Sequence, residues 1–389
     1  MNRGCFSFVT IMKLGLLFLT VAGAIMVSAA RAEVWTHTNS PSASYPAISA
    51  DGRVFVVGGA ATYVSYDYGV TWHSNDFHGS AVAISASGSN IIVGSSSPGA
   101  IHTSTDAGAT WTTQSAPPTF GAFNNVRQIA SSSDAKRLGL VLYGTCPIFI
   151  SIDGGVTWST NNDSPVSYWT GIASSANGHQ LLATSPNAGI WISTNYGVNW
   201  FSALASNNVM AVASSADGSQ LLGAAFGKVY VSSDFGATWS SQDIQNMDGS
   251  AAASSADGSR LAVSSYFGIF MSTNSGVTWS NASLPALAWD GVATTADGHR
   301  WIAHSGGSSG LYIGSSPLTP ILQIAPASGN VSVSWTVPSS PFILQQTASL
   351  NAREWSTVPG APVMNPETLA HEVTVPASNS GNFFRLSSP

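Results

Sequence analysis

The sequence predicts an all-β protein: a seven-bladed β-propeller of repeated turns, closed by its own N-terminal strand and followed by a small C-terminal β-sandwich. Three observations carry this expectation. The motif Ser-x-Asp-x-Gly-x-Thr-Trp or a close variant begins at residues 65, 104, 151, 193, 232 and 272, and a unit of about 40 residues suffices for four short antiparallel strands. A second turn, Ala-Asp-Gly or a variant, opens seven units, at residues 50–52, 86–88, 133–135, 176–178, 216–218, 256–258 and 296–298. Charged residues are only 8% of the chain, against roughly 25% in an average soluble protein, which suits a turn-rich surface of small polar side chains.

In chain order, residues 1–32 read as a signal peptide. Arg3 and Lys13 precede the apolar run Leu14 to Ala29, and Ala30-Arg31-Ala32 places small residues where signal peptidase requires them. The run is shorter than the roughly 20 residues that span a bilayer, so cleavage before Glu33 and export to the periplasm, cell surface or medium are expected. The mature chain keeps nine basic residues (12 minus Arg3, Lys13 and Arg31) against 18 acidic ones, a net charge of −9. Neither nucleic acid nor insertion of the mature chain into a membrane is expected, since nucleic acid and anionic lipid are bound by clustered Lys and Arg. Cys146 becomes the only cysteine, which excludes an intrachain disulfide and leaves it a packing role.

Residues 33–317 carry the repeats. In each copy of the longer motif the Asp, or Asn at 195 and 274, can accept hydrogen bonds from backbone N–H groups of a tight turn. The Gly supplies a positive φ and the Trp a large apolar plate. Seven opening turns against six such motifs leave the last unit, ending in Gly310 to Pro317, without an outer strand. The segment Val34-Trp35-Thr36 meanwhile stands before the first unit with no partner of its own. Joining the two closes the ring, removes open sheet edges and puts Trp35 where the six motif tryptophans stand in the other units.

The six motifs resemble the Asp-box, or BNR, repeats of sialidases, family 74 xyloglucan hydrolases, sortilin-type receptors and photosystem II assembly-factor propellers. Asn195, Asn199 and Asn274 depart from the usual Asp or Thr. The resemblance implies the propeller fold and no particular chemistry, because those families share the motif and not the reaction.

Beyond a Ser-Pro-Leu-Thr-Pro linker, residues 318–389 alternate with period two, as in Val331, Val333, Trp335 and Val337, and read as a separate β-sandwich. It is similar to the fibronectin-like modules appended to exported bacterial proteins, which implies a spacer or attachment role, with few contacts to the propeller expected.

Function is less legible. In four-stranded antiparallel units the Ala-Asp-Gly turns and the motif turns share one face, here the turn face. The longer loops share the other, where propellers place ligands at the channel mouth. Candidate ligand-binding residues on that loop face are Arg127, Tyr168, Trp169, Tyr266, Trp289 and His304, an aromatic and polar set suited to a protein or glycan. A sialidase needs three arginines converging on the substrate, and the loop face supplies only Arg127. A glycoside hydrolase would need two carboxylates roughly 5 to 9.5 Å apart, for which Asp248 and Asp290 in neighbouring units are the candidates. No sequence pattern points to a metal or a cofactor. The sequence therefore favours an exported, non-catalytic scaffold over an Asp-box glycosidase.

Overall fold

The computed structural model describes residues 9–10, 34–38, 44–96, 99–115, 125–160, 166–205, 208–282, 284–285, 287–306, 311–316, 322–327, 330–336, 342–348, 354–365, 369–376 and 383–387. The expected signal peptide lies outside them except for Val9 and Thr10, which pair with Phe384 and Phe383. The described residues form strands and turns without a helix, and none forms a helix long and apolar enough to cross a membrane.

The chain forms a propeller domain. From Val34 to Ser315 the described residues make seven four-stranded antiparallel sheets, numbered here from the first Ala-Asp-Gly turn. Six of them are contiguous in sequence. The seventh takes Trp289–Thr294, Arg300–Ser305 and Leu311–Ser315 from one end of the repeats and Val34–His37 from the other. Val34 pairs with Ser315 and Trp35 with Gly314, and the Thr38 N–H continues the ladder to the Leu311 carbonyl at 2.8 Å.

The inner strands meet around a central axis. There the first residue of each opening turn donates its N–H to the carbonyl of its counterpart in the next sheet. The bonds run Ala50 to Ala86, Ser133, Ala176, Ala216, Ala256, Ala296 and back to Ala50, at 2.6 to 3.0 Å. Each turn is held from within. Ser49 Oγ donates to Asp51 Oδ1 at 2.7 Å, and the Arg53 N–H donates to the same oxygen at 3.0 Å.

The longer motif is a second clasp. In its first copy Asp67 Oδ1 accepts the Thr71 N–H at 2.8 Å and Oδ2 the Thr71 hydroxyl at 2.7 Å. Trp72 Nε1 donates to the Gly69 carbonyl at 3.1 Å, and the tryptophans at 111, 158, 200, 239 and 279 do the same in their own copies. The left-handed turn uses two residues where sequence assigned one, since Tyr68 at φ 63° precedes Gly69 at φ 86°.

Trp35 joins the apolar cluster between the sixth and seventh sheets, with Trp289, Trp301 and Met271. A Cβ on Gly314 would come within 2.8 Å of its ring. It is half-buried, as are five of the six motif tryptophans, but unlike all six it has no acceptor for its Nε1, because no motif glycine precedes it.

The C-terminal residues form one four-stranded sheet and three strands of a second, whose fourth strand is Val9–Thr10, around Val333, Trp335, Leu344, Val373 and Phe384. Two of the C-terminal residues, Met364 and Leu369, pack on the alanines of the opening turns. Alanine leaves an apolar ring at the channel mouth, and such a surface gains free energy by being covered.

Candidate functional site

At the loop-face end the inner strands do not all pair regularly with their second strands. In the first sheet Ser44 pairs with Gly58 and Pro46 with Val57, so Tyr45 is an extra residue. In the third, Val126 pairs with Leu142 and Gln128 with Val141, leaving Arg127 extra. In the seventh, Asp290 is extra between Trp289 and Gly291. Met210 occupies such a bulge in the fifth. A bulge breaks the in–out alternation and re-aims one side chain, which is why bulges recur beside functional sites.

Three of these four residues converge. The Tyr45 hydroxyl is held up at about 12 by partial burial, by the neighbouring Tyr143 and by the nearby charge of Asp290, with Arg127 opposing. Tyr45 also stands at φ 55°, a strained conformation for a bulky residue that the surroundings must compensate. Arg127 Nε donates to the Thr170 carbonyl at 3.0 Å, and its guanidinium lies 4.9 Å from the centre of the Tyr143 ring. Asp290 Oδ1 lies 2.7 Å from His304 Nδ1, with His304 buried and the carboxylate half exposed. Gly306 leaves room for that carboxylate, since a Cβ there would come within 2.8 Å of Oδ2. The result is one guanidinium, one half-exposed carboxylate and two phenols from three sheets. This arrangement can bind a ligand through hydrogen bonds of both signs.

Of the residues singled out from sequence, Arg127, Asp290 and His304 thus belong to one cluster. Tyr168 is exposed, in a two-stranded ribbon opposite Thr145. Tyr266 is 64% exposed, beside Phe267 at 52% and, in the neighbouring sheet, Phe226 at 72%. These three aromatics occupy hairpin tips of the fifth and sixth sheets.

Trp169 and Trp289 are corrected as binding residues. Both are fully buried, Trp169 with its Nε1 on the Cys146 carbonyl at 3.0 Å, because large apolar rings next to the inner strands fill the space between sheets. Asp248, which sequence paired with Asp290, is engaged nearby. It accepts the Ser250 hydroxyl on Oδ1 and the Tyr266 N–H on Oδ2, so its carboxylate serves its own loop. Cys146 is buried, and burial pushes its thiol up, away from the reactive thiolate. Among the described residues no group of three or more His, Cys, Asp or Glu could hold a metal.

Sequence reasoning missed Tyr45, Tyr143, Phe226 and Phe267. The one available signal for the last two was an aromatic at a hairpin tip, a position that favours Gly, Asn or Asp.

The family model described as "DUF6242 beta propeller domain" matches residues 13–276, about two thirds of the chain. No curated protein matches it. Among solved structures the chain is similar to "YCF48 bound to D1 peptide", at 14% identity and TM-score 0.56, over 77% of this chain and 100% of that one. It is also similar to the Cps50 (Swd1) β-propeller domain of Myceliophteria thermophila, at 13% identity and TM-score 0.58, over 74% and 100%. A third likeness is to the GH74 enzyme of Niastella koreensis, at 22% identity and TM-score 0.53, over 72% of this chain but 44% of that one. At these identities the likenesses establish the propeller fold.

Proposed function

The chain belongs to the DUF6242 β-propeller family, and on that footing we propose that it is an exported, non-catalytic scaffold binding a protein or glycan segment at the loop-face mouth of its channel. The observation that carries the reading is the set of bulges at Tyr45, Arg127 and Asp290, which aims unlike polar groups from three sheets at one place. The peptide bound to the YCF48 propeller favours a peptide over a glycan. Asp248 is engaged in its own loop, which weighs against a two-carboxylate hydrolase.

The architecture beneath this reading is an Asp-box propeller of seven blades with Val34–His37 as the outer strand of the seventh. The ring of seven hydrogen bonds and the pairing of Trp35 with Gly314 support it. Residues 1–32 are the signal peptide, 33–317 the propeller and 318–389 the appended sandwich.

The test is binding of residues 33–389 to peptide and glycan arrays. A charge-assisted hydrogen bond contributes roughly 1.5–3 kcal/mol, so Arg127→Ala should weaken binding about tenfold or more. Turnover of a polysaccharide that Asp290→Asn abolishes would replace the scaffold with a glycoside hydrolase.

A further inference from the structure

On the turn face, opposite the site above, the hydrogen-bonded ring of small residues encloses a cavity of about 160 Å³. The hydroxyls of Ser215, Ser255 and Thr295 are spent on the turn carboxylates of Asp217, Asp257 and Asp297. Alanine methyl groups and serine or threonine side chains alternate around the lining, and the alanines form one apolar cluster within it. Leu369, from the C-terminal module, lines the same cavity, and Met364 of the same hairpin packs on the alanines beside it.

Leu369 adopts φ 52°, with its N–H donated to the Asn365 carbonyl at 2.9 Å. A hairpin loop that needs a left-handed residue ordinarily takes Gly or Asn. A leucine there is strained unless its side chain is held by contacts that offset the strain. On the adjacent strand burial pushes the His371 imidazole down, and the charge of Asp51 in the first opening turn opposes that shift.

We propose that the alanine ring is a docking surface whose occupant is the paired strands Val363–Asn365 and Ala370–Pro376 of the same chain, seated as a stopper through Leu369. The C-terminal module then closes the channel on the turn face and leaves the loop face as its open end. The proposal is independent of what the loop face binds.

The experiment uses the mature chain, with proteolysis between residues 316 and 322 and small-angle scattering as readouts. The wild type should be compact and slowly cut. Leu369→Asp, which sets a carboxylate on the apolar rim, should speed cleavage about tenfold or more and expand the particle, while Trp335 fluorescence stays native. Leu369→Gly separates seating from backbone strain. A glycine relieves the left-handed conformation, so a tip lying free in solvent would leave cleavage unchanged and raise the melting temperature. A seated leucine predicts faster cleavage from the same variant. Cleavage of the wild type as fast as of Leu369→Asp, or the free-tip result for Leu369→Gly, would overturn the proposal.

Discussion

Asp67 and Asp106 show what one repeated residue does. The Thr71 N–H and hydroxyl hold the Asp67 carboxyl at about 2, and the Thr110 hydroxyl and N–H do the same for Asp106. Both values lie below the ordinary 3.8, so each carboxylate contributes stability that is present above about pH 4 and lost as pH falls toward 2. Urea unfolding across pH should show that acid limb. Asp67→Asn with Asp106→Asn should reduce it without abolishing it, because Asp134, Asp153, Asp217 and Asp234 are also held below their ordinary value by hydrogen bonds in their turns. Gly58 makes a different residue-scale prediction. A Cβ there would stand 2.6 Å from the Gly79 carbonyl oxygen, a backbone atom that cannot swing aside. Gly58→Ala should cost about 1–3 kcal/mol in chemical denaturation.

Among elements, the strand Val34–His37 was legible and the bulges were not, and the difference is physical. Counting turns against motifs exposes a missing strand, because each unit must pair its own backbone. A bulge depends on how two strands register, and single-residue slips leave no mark in composition or period. Arg127 and Asp290 could be picked out as charges in apolar company, whereas Tyr45 and Tyr143 look like ordinary core aromatics. Trp169 and Trp289 failed for the converse reason, since a tryptophan reads alike whether it faces a ligand or the next sheet. Trp35 packs on Gly314 and the cluster behind it. Trp35→Ala should therefore destabilise the propeller by about 2–4 kcal/mol by denaturant unfolding, toward the low end for aromatic truncation because the ring is half-buried. A midpoint equal to wild type would mean that the strand adds nothing to the sheet it joins.

For the whole molecule, the expected maturation places Glu33 at the N-terminus, and intact mass of the protein from its native host should find it there. A mature chain at −9 also suits a surface that meets its ligand through a few placed groups more than through bulk attraction.

The bond from Thr38 to Leu311 spans 273 residues, and this sets a schedule for assembly. A ribosome adding about 5–20 residues per second takes roughly 15 to 55 seconds to deliver the second partner after the first. During that interval the strand Val34–His37 has no partner for its backbone. Nascent chains thus carry an unpaired strand edge, a ready template for aggregation, until Leu311–Ser315 emerges, and a ribosome stalled before that point would release Val34–His37 without its partner.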